Sequence, residues 1–142
     1  MSMLNYLSNR PLDTKSHLRI TLEADAVLGI LSLVEADKVD LISSEVLFFE
    51  IQRNSNPIRK EYALEVVSKA KKFVSTNAKI KERSNEFAEL GIHIMDAVHL
   101  ASAEEARVDY FCTCDDEFLK KALQIQNLRI KVVSPVDLAK EL

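Results

Sequence analysis

Tyr110-Phe111-Cys112-Thr113-Cys114-Asp115-Asp116-Glu117-Phe118 is the stretch on which the reading of this chain turns. Tyr110 to Thr113 is a brief β-favouring run, and helix-favouring residues follow from Asp115 to Gln124. Asp115 therefore stands at the carboxyl end of a strand, the edge where α/β folds bind ligands. A local explanation competes with that one. Asp is a favoured helix N-cap, and Asp116 and Glu117 also suit the positive end of a helix dipole. Cys112 and Cys114 fall on one face of such a strand without forming C-x-x-C, and they read as small core hydrophobes.

Working outward, strands and helices alternate. Leu18 to Ala36 carries Ile20, Leu22, Ala24, Val27, Leu28, Leu31 and Val34 at mostly three- and four-residue steps, which predicts an amphipathic helix with Glu23 and Asp25 outside the stripe. Val39–Ser43 reads as a short buried strand, and Ser44 as the N-cap of a helix through Arg53. Asn54-Ser55-Asn56-Pro57 ends that helix, and Pro57 suits the first turn of the next, expected over Ile58–Lys72. Phe73–Thr76 suggests a strand. A helix over Ala78–Leu90 should stop at Gly91, a residue suited to the left-handed C-terminal position. Another helix is expected from near Asp96 to Arg107, a last strand over Ile130–Val133, and a helical turn from Pro135. Alternation of this kind implies right-handed crossovers, a parallel sheet and helices on both of its faces.

At 142 residues the chain suits one domain, 1–142, able to bury roughly two-thirds of its unfolded surface. With 47% hydrophobic and 29% charged residues it has the balance of a globular protein. Only two glycines are present, and neither G-x-G-x-x-G nor G-x-x-x-x-G-K-[ST] occurs, which sets nucleotide binding aside. A net charge of −3 supplies no global basic field, so a nucleic acid would have to be held by local cations. No apolar run is long enough to span a membrane and no charged-then-apolar leader opens the chain, so a cytoplasmic protein is expected.

Two further acids sit among apolar residues. Asp96 opens Ala97-Val98-His99-Leu100-Ala101, where a helix cap would account for it. Glu50 lies within Val46-Leu47-Phe48-Phe49-Glu50-Ile51, and a carboxylate in that setting must reach water, a cation or a partner. Glu45 is five positions away, about 140° around a helix, so the two cannot face one site.

The segments S-S-E-V-L-F-F-E-I at 43–51, I-M-D-A-V-H-L-A at 94–101 and F-C-T-C-D-D-E-F at 111–118 together resemble the PIN-domain family. N-R-P-L-D at 9–13, E-L-G-I-H before Asp96 and V-V-S-P-V-D at 132–137 extend the resemblance over nearly the whole chain. It implies a three-layer α/β/α sandwich with a parallel, Rossmann-like sheet. It also implies an endoribonuclease similar to the VapC toxins of toxin–antitoxin pairs, using Mg²⁺ or Mn²⁺ held by acids. Carried over by position, Glu50, Asp96 and Asp115 match three family acids, Thr113 the hydroxyl residue before the last of them, and Asp116 a peripheral acid. Hard oxygen donors fit those ions better than zinc. RNA as substrate, an antitoxin protein as partner and a homodimer are implied as well. Arg10, Arg53, Arg59, Lys60, Lys120 and Lys121 are candidates for phosphate contacts, although exposed cations are mostly solvated. His99 follows Asp96 by three residues and is read as a buried structural histidine; His17 and His93 receive no chemistry.

The family's opening strand ends in a metal-ligating Asp. If Asn5-Tyr6-Leu7 aligns with the end of that stretch, the Asp falls just before residue 1, and the first strand and first acid are expected to be missing. Asn5 and Asp13 are poor substitutes. Either the natural chain begins further upstream, which is favoured because a sheet lacking its central strand exposes edges, or catalysis has been lost. The competing function is thus a catalytically impaired PIN-fold binding module that docks an antitoxin or self-associates.

Overall fold

The computed structural model describes residues 16–142. The expected loss of a first strand, and the readings of Asn5, Arg10 and Asp13, concern residues outside that range. Ser16 caps the first helix by accepting from the Arg19 amide, and α1 runs over His17–Glu35. Its buried face is the expected one only in part: Val27 and Val34 of the stripe point inward together with Glu23 and Ile30, while Leu22 and Leu28 are 50% and 56% exposed. The helix is apolar around so much of its circumference that periodicity alone does not select a face. Burial of Glu23 is compensated by Arg19, whose Nε lies 3.2 Å from the Glu23 carboxylate.

β1 (Ile42–Ser44) leads directly into α2 (Glu45–Gln52), with the Ser44 hydroxyl accepting from the Leu47 amide as the N-cap. Asn56 caps α3 (Pro57–Val67). That helix stops short of the expected Lys72 because Lys72–Val74 is recruited as β2, parallel to β1 in the register Ile42 to Lys72 and Ser44 to Val74. The Lys71 amide begins the ladder by donating to the Leu41 carbonyl at 2.8 Å. α4 (Ala78–Glu89) follows its Asn77 cap, and Gly91 takes φ +95° just beyond it, where a Cβ would be strained. α5 (Ile94–Glu105) is capped by His93, two residues earlier than the expected start near Asp96. β3 (Tyr110–Cys112), α6 (Asp116–Leu123), β4 (Lys131–Val133) and α7 (Pro135–Glu141) complete the chain.

The period of two along a strand builds the layers. β3 and β4 pair in parallel, Phe111 beside Val132 and Cys112 beside Val133. Phe111 and Val132 face a core with Leu100 and Ala97 of α5 and Phe118 and Ala122 of α6. Cys112 and Val133 face Val27 and Ile30 of α1 and Leu138 of α7. Helices therefore cover both faces of this sheet. Among the described residues the four strands form two parallel pairs, β1–β2 and β3–β4, and not one continuous ladder. A third group of buried side chains, Val34, Leu41, Leu47, Ile51, Ala63 and Val66, joins α1 to α2 and α3. Both cysteines are buried, as expected for core residues, and burial pushes the Cys112 thiol up to about 12.

Candidate functional site

Asp115 stands at the carboxyl end of β3, where the alternating pattern places it. It is also the N-cap of α6: its Oδ1 accepts from the amides of Glu117 and Phe118 at 3.0 and 3.1 Å. The two readings of Asp115 are thus compatible, because capping engages one carboxylate oxygen. Thr113, 2% exposed, fixes the turn by accepting at its hydroxyl from the Asp115 amide at 3.1 Å, while its own amide donates to Val133 at 2.9 Å.

Asp96 is not a cap. The imidazole of His93 takes that role, with Nδ1 accepting from the Met95 amide at 3.3 Å, so Asp96 lies in the first turn of α5 with its carboxylate released from backbone duty. Burial pushes the Asp96 carboxyl above the ordinary aspartate value; His99 and His93 pull it back down, and Asp115 and Glu50 push it further up. Asp115, from the β3–α6 turn, and Glu50, from α2, therefore both lie within electrostatic reach of Asp96 on α5. Such a group raises its own energy when all members are ionised, and a cation lowers it.

Glu50, on α2, is mostly buried, its side chain 13% exposed, and its Oε1 lies 3.0 Å from Nε2 of His99. His99 is buried, as expected of a structural histidine, and it couples α5 to α2 at the acid that the sequence singled out. The only signal for this was its three-residue offset from Asp96. Asp116 turns away to α1, accepting at Oδ2 from Arg19 Nη1 at 2.7 Å and pairing with Nη2 through Oδ1. Sequence reading missed Arg19, since a contact across 97 positions has no local trace.

The donor chemistry fits a hard divalent cation: all three acids offer oxygen, and their mutual repulsion favours positive charge. Among the described residues, however, no three His, Cys, Asp or Glu side chains stand close enough together to hold a metal ion. Of the candidate cations, Arg53 lies over the Phe49 ring at 5.3 Å and Lys121 donates to the Gly91 carbonyl at 3.0 Å. A cavity of about 990 Å³ opens at the other end of β3 and β4, lined by Arg107, Asp109, Arg129 and Lys131, and it contains none of the three acids. No described helix is long and apolar enough to cross a membrane.

In comparisons with known proteins, the family model described as PIN domain matches residues 11–124. Neither curated proteins nor solved structures give a match.

Proposed function

From the premise that the chain belongs to the PIN-domain family, whose members are generally nucleases, we propose that it is a metal-dependent endoribonuclease and the toxin component of a toxin–antitoxin pair. Asp96, Asp115 and Glu50 would hold Mg²⁺ or Mn²⁺. Bound there, the ion would polarise the scissile phosphate and lower the pKa of an attacking water. The observation that carries this reading is the half-buried Asp96 carboxyl, freed from capping by His93 and raised by burial beside Asp115 and Glu50.

The residues of the chain divide the work. Thr113 and the α6 amides hold Asp115 by its backbone and one oxygen. Arg19 keeps Asp116 on α1, so Asp116 supports the site by docking helices rather than as a ligand. Burial of Asp96 keeps bulk water off its carboxylate, which strengthens its attraction to a cation. RNA phosphates would meet local cations, Arg53, Arg59, Lys60, Lys120 and Lys121 being the candidates.

The test uses fluorescent single-stranded RNA with Mn²⁺ or chelator. Cleavage in Mn²⁺, absent in chelator and in Asp96→Asn, supports the reading; cleavage that survives both refutes it. Growth arrest on induced expression, relieved by Asp96→Asn, tests the toxin role. The second reading, a binding module that docks an antitoxin or self-associates in the cytoplasm, is favoured by the apolar side chains left on α2 and α3, where Phe49 is 50% and Ile58 is 80% exposed. Intact RNA in every lane together with a concentration-dependent dimer would select it.

A further inference from the structure

We propose that the cleft at the amino ends of β3 and β4 is a separate nucleic-acid contact, which holds the phosphate backbone of single-stranded RNA through Arg107 and Arg129. The choice of RNA as occupant rests on the ribonuclease reading above, whereas the cleft itself involves none of the three acids and needs no cation. It has a volume of about 990 Å³ and opens between the turn that follows α5 and the residues that lead into β4. Arg107, from the first, and Arg129, from the second, are both exposed, and among the described residues neither guanidinium makes an ion pair or a hydrogen bond. The other charges of the cleft are engaged, with one exception. Glu104 accepts from Arg83 at 2.7 Å and from the Arg129 amide at 3.2 Å, while Lys131 is offset by Glu141, which also accepts from Tyr110. Asp109 is the exception and adds one negative charge. Two guanidiniums without counterions against one carboxylate leave the cleft positive in a chain whose net charge is −3. Such a local excess is what draws a phosphate chain to an otherwise acidic protein.

Arg107 is also strained. It follows the C-cap of α5 in the left-handed region, with φ +57°, its amide donating to the Glu104 carbonyl at 3.0 Å. Glycine is the usual occupant of that position, and aspartate, as at Asp37 with φ +58°, tolerates it; arginine is not among the types that favour it. Strained positions of this kind concentrate at ligand clamps, and here the strain presents a guanidinium where glycine would serve the backbone better. The rest of the lining selects the occupant. A guanidinium offers a planar pair of donors matched to the oxygens of a phosphate. Tyr110, half-buried, and Leu128 add surfaces on which bases and sugars can lie, and a cationic groove with an aromatic ring is the combination that binds single strands. An acidic peptide would use the guanidiniums but not the ring.

The experiment follows the fluorescence anisotropy of a labelled single-stranded RNA of about 12 nucleotides, a length within the usual site size of such grooves, with the full chain in chelator at several salt concentrations. Wild type is compared with Arg107→Gly, Arg129→Gln, the double variant and Lys72→Gln, which removes a charge from the other strand pair. Arg107→Gly relieves the left-handed strain, so it should melt no lower than wild type while binding RNA roughly two- to fivefold more weakly, the range of an exposed ion pair. Arg129→Gln keeps the backbone bond to Glu104 and should lose a similar factor. Each should reduce the slope of log affinity against log salt by about 0.7, the value of one phosphate contact on a single strand, and the double variant by twice that. An unchanged slope in the double variant, or an equal loss from Lys72→Gln, overturns the proposal. Polyglutamate that displaces the labelled RNA as well as unlabelled RNA does assigns the cleft to an acidic peptide and overturns it too, as does a wild-type chain that binds no RNA in chelator. Wild type that binds as expected but leaves RNA intact in Mn²⁺ rejects the ribonuclease reading and supports the cleft. Mn²⁺-dependent cleavage with the same KM in wild type and the double variant upholds the ribonuclease reading and rejects the cleft.

Discussion

Asp96 shows how one carboxylate can be held against its own stability. Its folded pKa is raised, chiefly by burial, so the folded chain binds that proton more tightly than the unfolded chain does. Stability is therefore lost as pH rises from the ordinary aspartate value through the raised one, and the loss is complete above it. In chelator at neutral pH, Asp96→Asn should melt at a higher temperature than wild type, with the gain fading as pH falls through the raised value and gone below the ordinary aspartate value. The same substitution should abolish Mn²⁺-dependent cleavage, and thermal melts across a pH series check the sign. Asp115 makes the opposite case, since its capping bonds stabilise α6. Asp115→Ala should lower stability by about 1 kcal/mol, whereas Asp115→Ser retains a capping oxygen and most of the stability. Both variants should lose cleavage, which separates the cap from the chemistry in one pair of urea titrations and RNA assays.

At the scale of elements, the helix that carries Asp96 and His99 is anchored by an ion-pair network rather than by apolar contacts alone. Arg83 of α4 reaches Glu104 of α5 at 2.7 Å through Nε and donates to the Asn127 carbonyl at 3.1 Å, while the Arg129 amide donates to Glu104 at 3.2 Å. Its guanidinium also stacks on the fully buried Phe87 ring at 4.4 Å. Glu104 is 6% exposed at the side chain and would be left a buried unpaired charge by Arg83→Leu. That variant should lose about 3 kcal/mol, the low end for a broken buried pair because Arg83 itself stays 18% exposed. Adding Glu104→Leu should restore part of the loss, since the stranded charge is removed. A double variant less stable than Arg83→Leu alone would show that the backbone bonds of Glu104 outweigh its ion pair.

At the scale of the whole molecule, α1 and α7 close one face of the β3–β4 sheet through Val27, Ile30, Cys112, Val133 and Leu138, the last with no exposed surface. Leu138→Ala should destabilise by about 2–5 kcal/mol, because the cavity lies between two helices and a sheet that cannot all collapse onto it. Arg19 bridges the same α1 to Asp116, one residue from Asp115, so the loss should also reach the site. Urea titration gives the first quantity, and Mn²⁺ affinity measured well below the unfolding midpoint gives the second.

Local chemistry made much of this legible in the sequence. The Ser44 cap, the break at Asn54–Pro57, the left-handed Gly91 and the position of Asp115 after a β run are all written within a few residues, because caps, turns and strand ends are short-range devices. The three acids were nominated as a set by their order within the family resemblance, since each alone is equally well explained as a helix cap or a solvated carboxylate. The tertiary structure alone decided which face of α1 is buried, that His93 rather than Asp96 caps α5, that Lys72 joins a strand, and that His99 meets Glu50 while Arg19 holds Asp116. Each of these depends on an atom from a distant segment arriving at a particular place, and a polar group's role is set by what it meets once water has been excluded around it.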